Sequence, residues 1–355
     1  MSPEVSGRMP FIEIGGSPRE VGAALGRFGR DVVHNFLLAS HAWKELTDRR
    51  SDPRLERMAA IVRDRHPRYW AELEGLAEGL ELPFDDVFLW NCRGDIWAMA
   101  PDGCTTVQLP GSPHVIGHNE DGDPGFAGHC ALAHIDSDGG NSFTAFVYPG
   151  SLPGHTFAAT SAGLVQTVNN IRPLGGGSGT PRMILARAVL DAPHLDAALR
   201  LVNEAPRAGA FHLTLAQAGD PRLLGVEFTA EAVSIVELRQ PGVHANHLIH
   251  EDTLGTSQVV TGSSGSRQER GSDLLGSVDL SDRQAAARRI LWDTSDARLP
   301  IYRTDPQDED VENTLASVVF AVGPHSVTWS VYDRAEQPPR FEMRDGLLPS
   351  TSTSP

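Results

Sequence analysis

The chain has 355 residues, 40% of them hydrophobic and 21% charged, the make-up of one large or two ordinary soluble globular domains. Its formal net charge is -16, from 46 acidic and 30 basic residues, which argues against nucleic acid or an anionic membrane as a partner. No apolar run is long enough to span a bilayer, no basic-then-apolar leader opens the chain, and Cys92, Cys104 and Cys130 are too few for a disulfide framework, so a cytoplasmic protein is expected.

Residues 10–14 read as a short strand. Ser17 then caps a helix, with Pro18 in its first turn, Glu20 three residues after the cap, and Val21, Leu25, Phe28 and Val32 at helical spacing. Two further helical patterns cover 54–66 and 67–80, divided at Pro67, while 85–92 reads as extended or mixed. The mainly helical first hundred residues lead to a hairpin, in which CTTVQL and HVIGHN flank the turn signal PGSP. Strands follow at 143–150, 155–163 and 164–170, then a flexible loop at 174–179. Thr180 and Pro181 start a helix, a second covers 195–204, and 211–218, 223–229 and 233–238 form an antiparallel meander. The loop 241–250 carries His244, Asn246 and His247. Residues 256–272 are rich in Ser and Gly and read as mobile, and GSSGS at 262–266 reads as linker. A helix at 282–294, an acidic loop (DPQDEDVEN), a hairpin of 314–322 with 326–333 and a disordered tail complete the chain. This order predicts sheets covered by helices on their outer faces.

The candidate chemistry centres on the first hairpin. Pairing Leu109 with His114 places Cys104 opposite Asn119, with Asp121 just beyond, so that a thiol, a carboxamide and a carboxylate meet at one end. Taken alone, a cysteine in a strand is more often a small buried hydrophobe than a nucleophile. His114, His118, His129 and His134, near Glu120, Asp121 and Asp123, are metal-ligand types, but no zinc-helix signature accompanies them and no metal or cofactor is expected. There is no phosphate-binding loop and no Gly-x-Ser-x-Gly elbow.

The runs WNCRGDIWAMAPDGCTTVQL, GHNEDGD and VHANH, supported by ELEGLAEGLELPFDDVFLWN and the terminal hairpin, resemble the isopenicillin-N acyltransferase and carcinine hydrolase family, cysteine-type N-terminal-nucleophile hydrolases. The resemblance implies an α+β fold, a four-layer αββα sandwich, and a precursor that cuts itself between Gly103 and Cys104. Residues 1–103 would become a small subunit and 104–355 the catalytic subunit. Cys104 would be the nucleophile, Asn246 would stabilise the oxyanion, and Asp121 and Asn119 would line the catalytic centre. The acyltransferases also carry an arginine shortly before the terminal hairpin, where this chain reads DEDVENTLAS, and GHNEDGD looks more like the hydrolase branch.

The chemistry is self-consistent. Attack of the Cys104 thiol on the Gly103 carbonyl gives a thioester that water resolves. The α-amine so freed ordinarily titrates at about 7.7–8.0, which suits a base for its own thiol. The expected function is hydrolysis of a small N-acyl amine, a β-alanyl amine such as carcinine, with Glu120 and Asp123 available for a substrate ammonium. The partners would be that amide and the chain's own N-terminal fragment. Acyl transfer between amines is the alternative within enzymes; a non-catalytic or metal-dependent binding protein is the alternative outside them.

Overall fold

Two β-sheets stacked face to face form the middle of the molecule, in a computed structural model that describes residues 8–101, 103–304, 310–345 and 347. In chain order the described elements are β1 (Phe11–Gly16), α1 (Pro18–Asn35), α2 (His41–Thr47), α3 (Arg54–Arg65), α4 (Pro67–Leu80), α5 (Phe84–Asn91), α6 (Arg93–Ile96), β2 (Gly103–Leu109), β3 (His114–Gly122), β4 (Ala131–Ser137), β5 (Phe143–Val147), β6 (Phe157–Thr160) and β7 (Leu164–Asn170). They continue as α7 (Arg182–Leu190), α8 (Leu195–Glu204), β8 (Phe211–Gln217), β9 (Leu223–Phe228), β10 (Val233–Glu237), β11 (Gly242–His244), α9 (Gly262–Leu275), α10 (Arg283–Leu291), β12 (Asn313–Val322), β13 (Val327–Tyr332) and β14 (Phe341–Arg344).

The larger sheet has the order β1-β4-β5-β6-β7-β8-β9-β10 and the smaller β11-β2-β3-β12-β13-β14. Helices α7 and α8 bury Met183, Leu185, Val189, Leu195 and Val202 against Val168, Leu213 and Val226 of the larger sheet. Ala287, Ile290 and Leu291 of α10 pack on Val107, Leu109, Val115 and Val319 of the smaller one. Between the sheets, Phe157 meets both Phe146 and Phe320. The expected α+β sandwich of four layers is therefore present. The segment before Gly103 is woven into it, because β1 pairs in parallel with β4, Phe11 opposite Leu132 through Gly16 opposite Ser137.

Helix α1 begins as expected, with Ser17 and Glu20 forming a reciprocal capping box. It crosses α4 at backbone contact, because glycines occupy both faces. A Cβ added at Gly22 would stand 1.9 Å from the Glu72 carbonyl oxygen, and one at Gly75 would stand 1.9 Å from that of Arg19. Gly22→Ala is accordingly expected to push the helices apart and destabilise the fold by about 1–3 kcal/mol, seen as a lower urea midpoint.

Several local readings change. Residues 85–92 are mostly helix α5, not extended; Val87, Phe88, Leu89 and Trp90 are all buried, so no polar face marks the helical period. The supposed linker is helix α9, in which Ser263, Ser264 and Arg267 are buried. Strands β4 and β14 and helix α2 had no counterpart in the sequence reading. Asp102, residues 305–309 of the acidic loop and the C-terminal tail lie outside the described residues.

Candidate active site

Strands β2 and β3 pair with Gly103 opposite Asp121, Cys104 opposite Glu120, Thr105 opposite Asn119 and Leu109 opposite Val115. The expected register, Cys104 on Asn119, is thus wrong by one residue. The turn is longer than assumed: the Gly111 N–H donates to His114 Nδ1 at 3.1 Å, so His114 closes the turn instead of pairing with Leu109. A one-residue slip exchanges the two faces of a strand. The result is that Cys104, Thr106, His118 and Glu120 point between the sheets, whereas Thr105, Asn119 and Asp121 point to the other face, toward α9, α10 and β12.

On the inner face, Cys104 is buried with its Sγ 4.0 Å from Glu120 Oε2, which lies 3.2 Å from His118 Nε2. The Cys104 backbone N–H donates to Asn246 Oδ1 at 3.0 Å. Arg267 Nη2 donates to the same oxygen at 2.7 Å, and Asn246 Nδ2 donates to the Asn170 carbonyl at 3.0 Å. Asn246 therefore lies beside Cys104 and presents an acceptor to it, not the amide donor an oxyanion requires.

Arg267, absent from the sequence reading, holds the other side of Cys104. Its Nη1 donates to the Cys104 carbonyl and to Thr105 Oγ1 at 2.8 Å, and its Nε to Ser263 Oγ at 3.1 Å. Burial lowers its pKa, against the nearby Asp121 carboxyl. Helix α9 delivers this arginine. Thr261 caps the helix by accepting from the Ser264 N–H at 3.2 Å, and Ser264 Oγ accepts from the Asn246 N–H at 2.9 Å. Ser and Gly are weak helix formers, which hid the helix; the cap spacing of Thr261 and Ser264 was its readable signal.

On the outer face, Asp121 Oδ1 accepts from Thr314 Oγ1 at 2.6 Å, while Oδ2 is buried and accepts from none of the described residues. Burial raises the Asp121 pKa, with Arg267 and then Arg303 opposing the rise. Arg303 is fully buried; its Nε donates to the Glu312 carbonyl at 3.0 Å and its Nη1 to Ser263 Oγ. Arg303 stands ten positions before Asn313, upstream of the DEDVENTLAS run. Glu312 is pushed up to about 8 by burial, with Arg172 Nη2 at 3.5 Å from it. Its Oε2 would lie 2.2 Å from a Cβ at residue 103, so any side chain before Cys104 would have to displace the Glu312 carboxyl. Asn119 turns away from the thiol. It donates to the Leu291 carbonyl at 2.6 Å and accepts from Ser317 Oγ at 2.6 Å, tying α10 to the sheet.

Asp123 lies beyond β3, where Oδ1 accepts from the Gly125 N–H at 2.9 Å. It lines a small cavity with Trp90, Pro101, Phe126 and Tyr148. The grouped histidines do not converge: His114 contacts the Pro221 carbonyl, His134 contacts Thr144, and His129 is exposed. Among the described residues only His118 joins a potential cation-binding set, with Cys104 and Glu120, whose donor atoms lie within 4.8 Å of one another.

Cys104 thus heads strand β2 inside the αββα sandwich, with its amide nitrogen and its carbonyl both held by buried side chains. The chain belongs to the acyl-coenzyme A:6-aminopenicillanic acid acyl-transferase family, whose model matches residues 109–336, beginning just after the β2 residues around Cys104. It is 26% identical to the beta-alanyl-dopamine/carcinine hydrolase of Drosophila melanogaster, over 94% of this chain and 96% of that protein. Among solved structures it is similar to a conjugated bile acid hydrolase from Clostridium perfringens, at 10% identity and a TM-score of 0.42 over 68% of this chain and 91% of the other. It is also similar to penicillin V acylase from Agrobacterium tumefaciens, at 14% identity and a TM-score of 0.42 over 68% and 86%. No helix among the described residues is long and apolar enough to cross a membrane.

Proposed function

We propose that the protein is a self-processing hydrolase of small N-acyl amines, with β-alanyl amines as the favoured substrates, acting through an acyl-thioester on Cys104. The observation that carries this reading is the environment of the Gly103–Cys104 bond. Asp121 and Glu312 crowd Gly103, Asn246 holds the Cys104 nitrogen and Arg267 holds its carbonyl. In this reading the thiol attacks the Gly103 carbonyl, water releases the N-terminal segment, and the freed α-amine serves as base for the thiol. Asn246 then orients that amine, and Asp121, with one buried oxygen open, receives positive charge near it. The segment 1–103 stays bound after the cut through β1 and the packing of α1 and α4.

The likeness to a beta-alanyl-dopamine/carcinine hydrolase over nearly the whole chain supports hydrolysis of a β-alanyl amine. The family match supports a second reading, transfer of the acyl group to another amine. Peptide mapping for a new N-terminus at Cys104, followed by product analysis with β-alanyl amines, with and without an added acceptor amine, tests both. An intact, inactive wild-type chain would refute self-processing.

Asp123 is the carboxylate proposed to hold the substrate ammonium, since it is the carboxylate lining a cavity that Trp90, Phe126, Tyr148 and the cationic Arg93 also line. Asp123→Asn keeps a capping oxygen for the Gly125 N–H but removes the charge. KM for a cationic β-alanyl amide is expected to rise roughly tenfold, with little change for a matched neutral acyl amide. Equal losses for the two substrates would remove Asp123 from recognition.

A further inference from the structure

Glu120 was expected to offer a carboxylate to the substrate, yet its surroundings leave it in a different state. The proton positions around it are fixed from Asn169 on β7. Asn169 Nδ2 donates to the His244 carbonyl at 3.1 Å, which sets the orientation of the side chain, because a carbonyl can only accept. Asn169 Oδ1 therefore faces Thr106 Oγ1 at 2.7 Å and His212 Nδ1 at 3.0 Å. Gln108 Nε2 lies 3.3 Å from His212 Nε2, which makes that nitrogen the acceptor and His212 Nδ1 the N–H donor. Thr106 must then direct its single hydroxyl proton to Asn169 Oδ1. Thr106 Oγ1 also lies 2.8 Å from His118 Nδ1, so His118 Nδ1 is the donor in that contact.

A neutral His118 with its proton on Nδ1 has a bare Nε2. That nitrogen lies 3.2 Å from Glu120 Oε2, with both residues fully buried. Two bare acceptors at that distance repel, so one proton must lie between them. Burial favours the uncharged pair: it lowers His118 to about 3, which leaves the proton on Glu120. Cys104 from β2, His118 from β3 and Cys130 from the segment leading into β4 are titratable groups that face Glu120; burial holds the Cys130 thiol well up.

We infer that Glu120 is a proton-bearing carboxylic acid aimed at the Cys104 thiol, and that it serves as the general acid for the leaving amine and then as the general base for water. His118 is the positioning residue that accepts from Glu120 and keeps it directed at Cys104. This deepens the reading of Cys104 as nucleophile and rests on it. In the acylation step the thiol proton passes to the α-amine and the S–C bond forms. The C–N bond then breaks as the amine nitrogen takes the proton of Glu120. In the deacylation step water gives its hydroxyl to the acyl carbon and its proton to Glu120. The S–C bond breaks, and the thiolate recovers its proton from the α-ammonium. The acyl-enzyme then holds one ammonium and one carboxylate side by side, so no net charge builds up in the buried site.

Glu120→Gln is the discriminating variant, because the glutamine amide donates to His118 Nε2 as the acid does but transfers no proton. For the amide substrate, kcat is expected to fall about 10²–10⁴-fold with KM little changed. The 4-nitrophenyl ester of the same acyl group has a leaving group that needs no proton. It should still give a burst of nitrophenol followed by slow turnover, with the acyl group found on Cys104 by mass spectrometry. His118→Phe should show the same split between amide and ester, more weakly. An infrared difference spectrum near neutral pH, wild type minus Glu120→Gln, should contain the carbonyl band of a protonated carboxyl; this measurement needs no turnover or processing. A carboxylate signal in its place, equal losses on amide and ester, or a raised KM with unchanged kcat would each overturn the assignment. Failure to find any acyl adduct on Cys104 in the wild type would overturn the nucleophile and this proposal with it, whereas an adduct accompanied by equal losses overturns this proposal alone.

Discussion

Cys104→Ala is expected to leave the full-length chain uncut and without amide turnover. The other two thiols do not replace it: Cys92 and Cys130 are buried, and burial pushes both well above the ordinary thiol range. The variant should keep the fold, because alanine fits where the Cys104 side chain sits and the backbone contacts to Asn246 and Arg267 remain. Cys104→Ser should be cut slowly, since a hydroxyl at neutral pH is a poorer nucleophile than a thiol. Gel analysis and N-terminal mapping of the three proteins read the result. Fragments ending at Gly103 in the alanine variant would show that another group cuts the chain.

Asn246→Ala should lower kcat about 10²–10³-fold with the chain still folded, comparable to losing one pre-placed hydrogen-bond partner in an active site. The physical reason is the 3.0 Å contact from the Cys104 nitrogen, which after cleavage would belong to the α-amine. Asn246→Asp separates this role from simple packing. A carboxylate beside the amine favours its ammonium form, so the amine pKa rises, by about one unit or more for an opposite charge within hydrogen-bond reach. The amine must be neutral to take the thiol proton. Hence the rising limb of kcat/KM against pH should move to higher pH, and activity lost near neutrality should partly return in alkali. A profile displaced to lower pH, or unmoved, would mean that Asn246 does not act on the amine.

Local patterns made much of the framework legible. The capping box of Ser17 and Glu20, the division of two helices at Pro67 and the meander over 211–238 all recur where the residues suggested them. Such signals lie within a few positions of one another, so they survive in a single sequence. Helices α5 and α9 escaped because each breaks the amphipathic rule: the first is buried on nearly every side, and the second is built from Ser and Gly around a buried arginine.

By itself, the sequence determined that Cys104 follows a glycine and opens a hairpin strand, whereas Asn246 was tied to it only by the family resemblance. The tertiary structure alone decided which side chains meet the thiol. One additional residue in the turn put Glu120 across from Cys104 and sent Asn119 and Asp121 to the other face, an exchange to which residue composition is blind. Arg267 reaches Cys104 from 163 positions away, and the proton on Glu120 follows from a chain of contacts running through β2, β3, β7 and β8. Propensity and spacing act over a few residues, whereas the hydrogen-bond state of a buried group is set by every element packed around it.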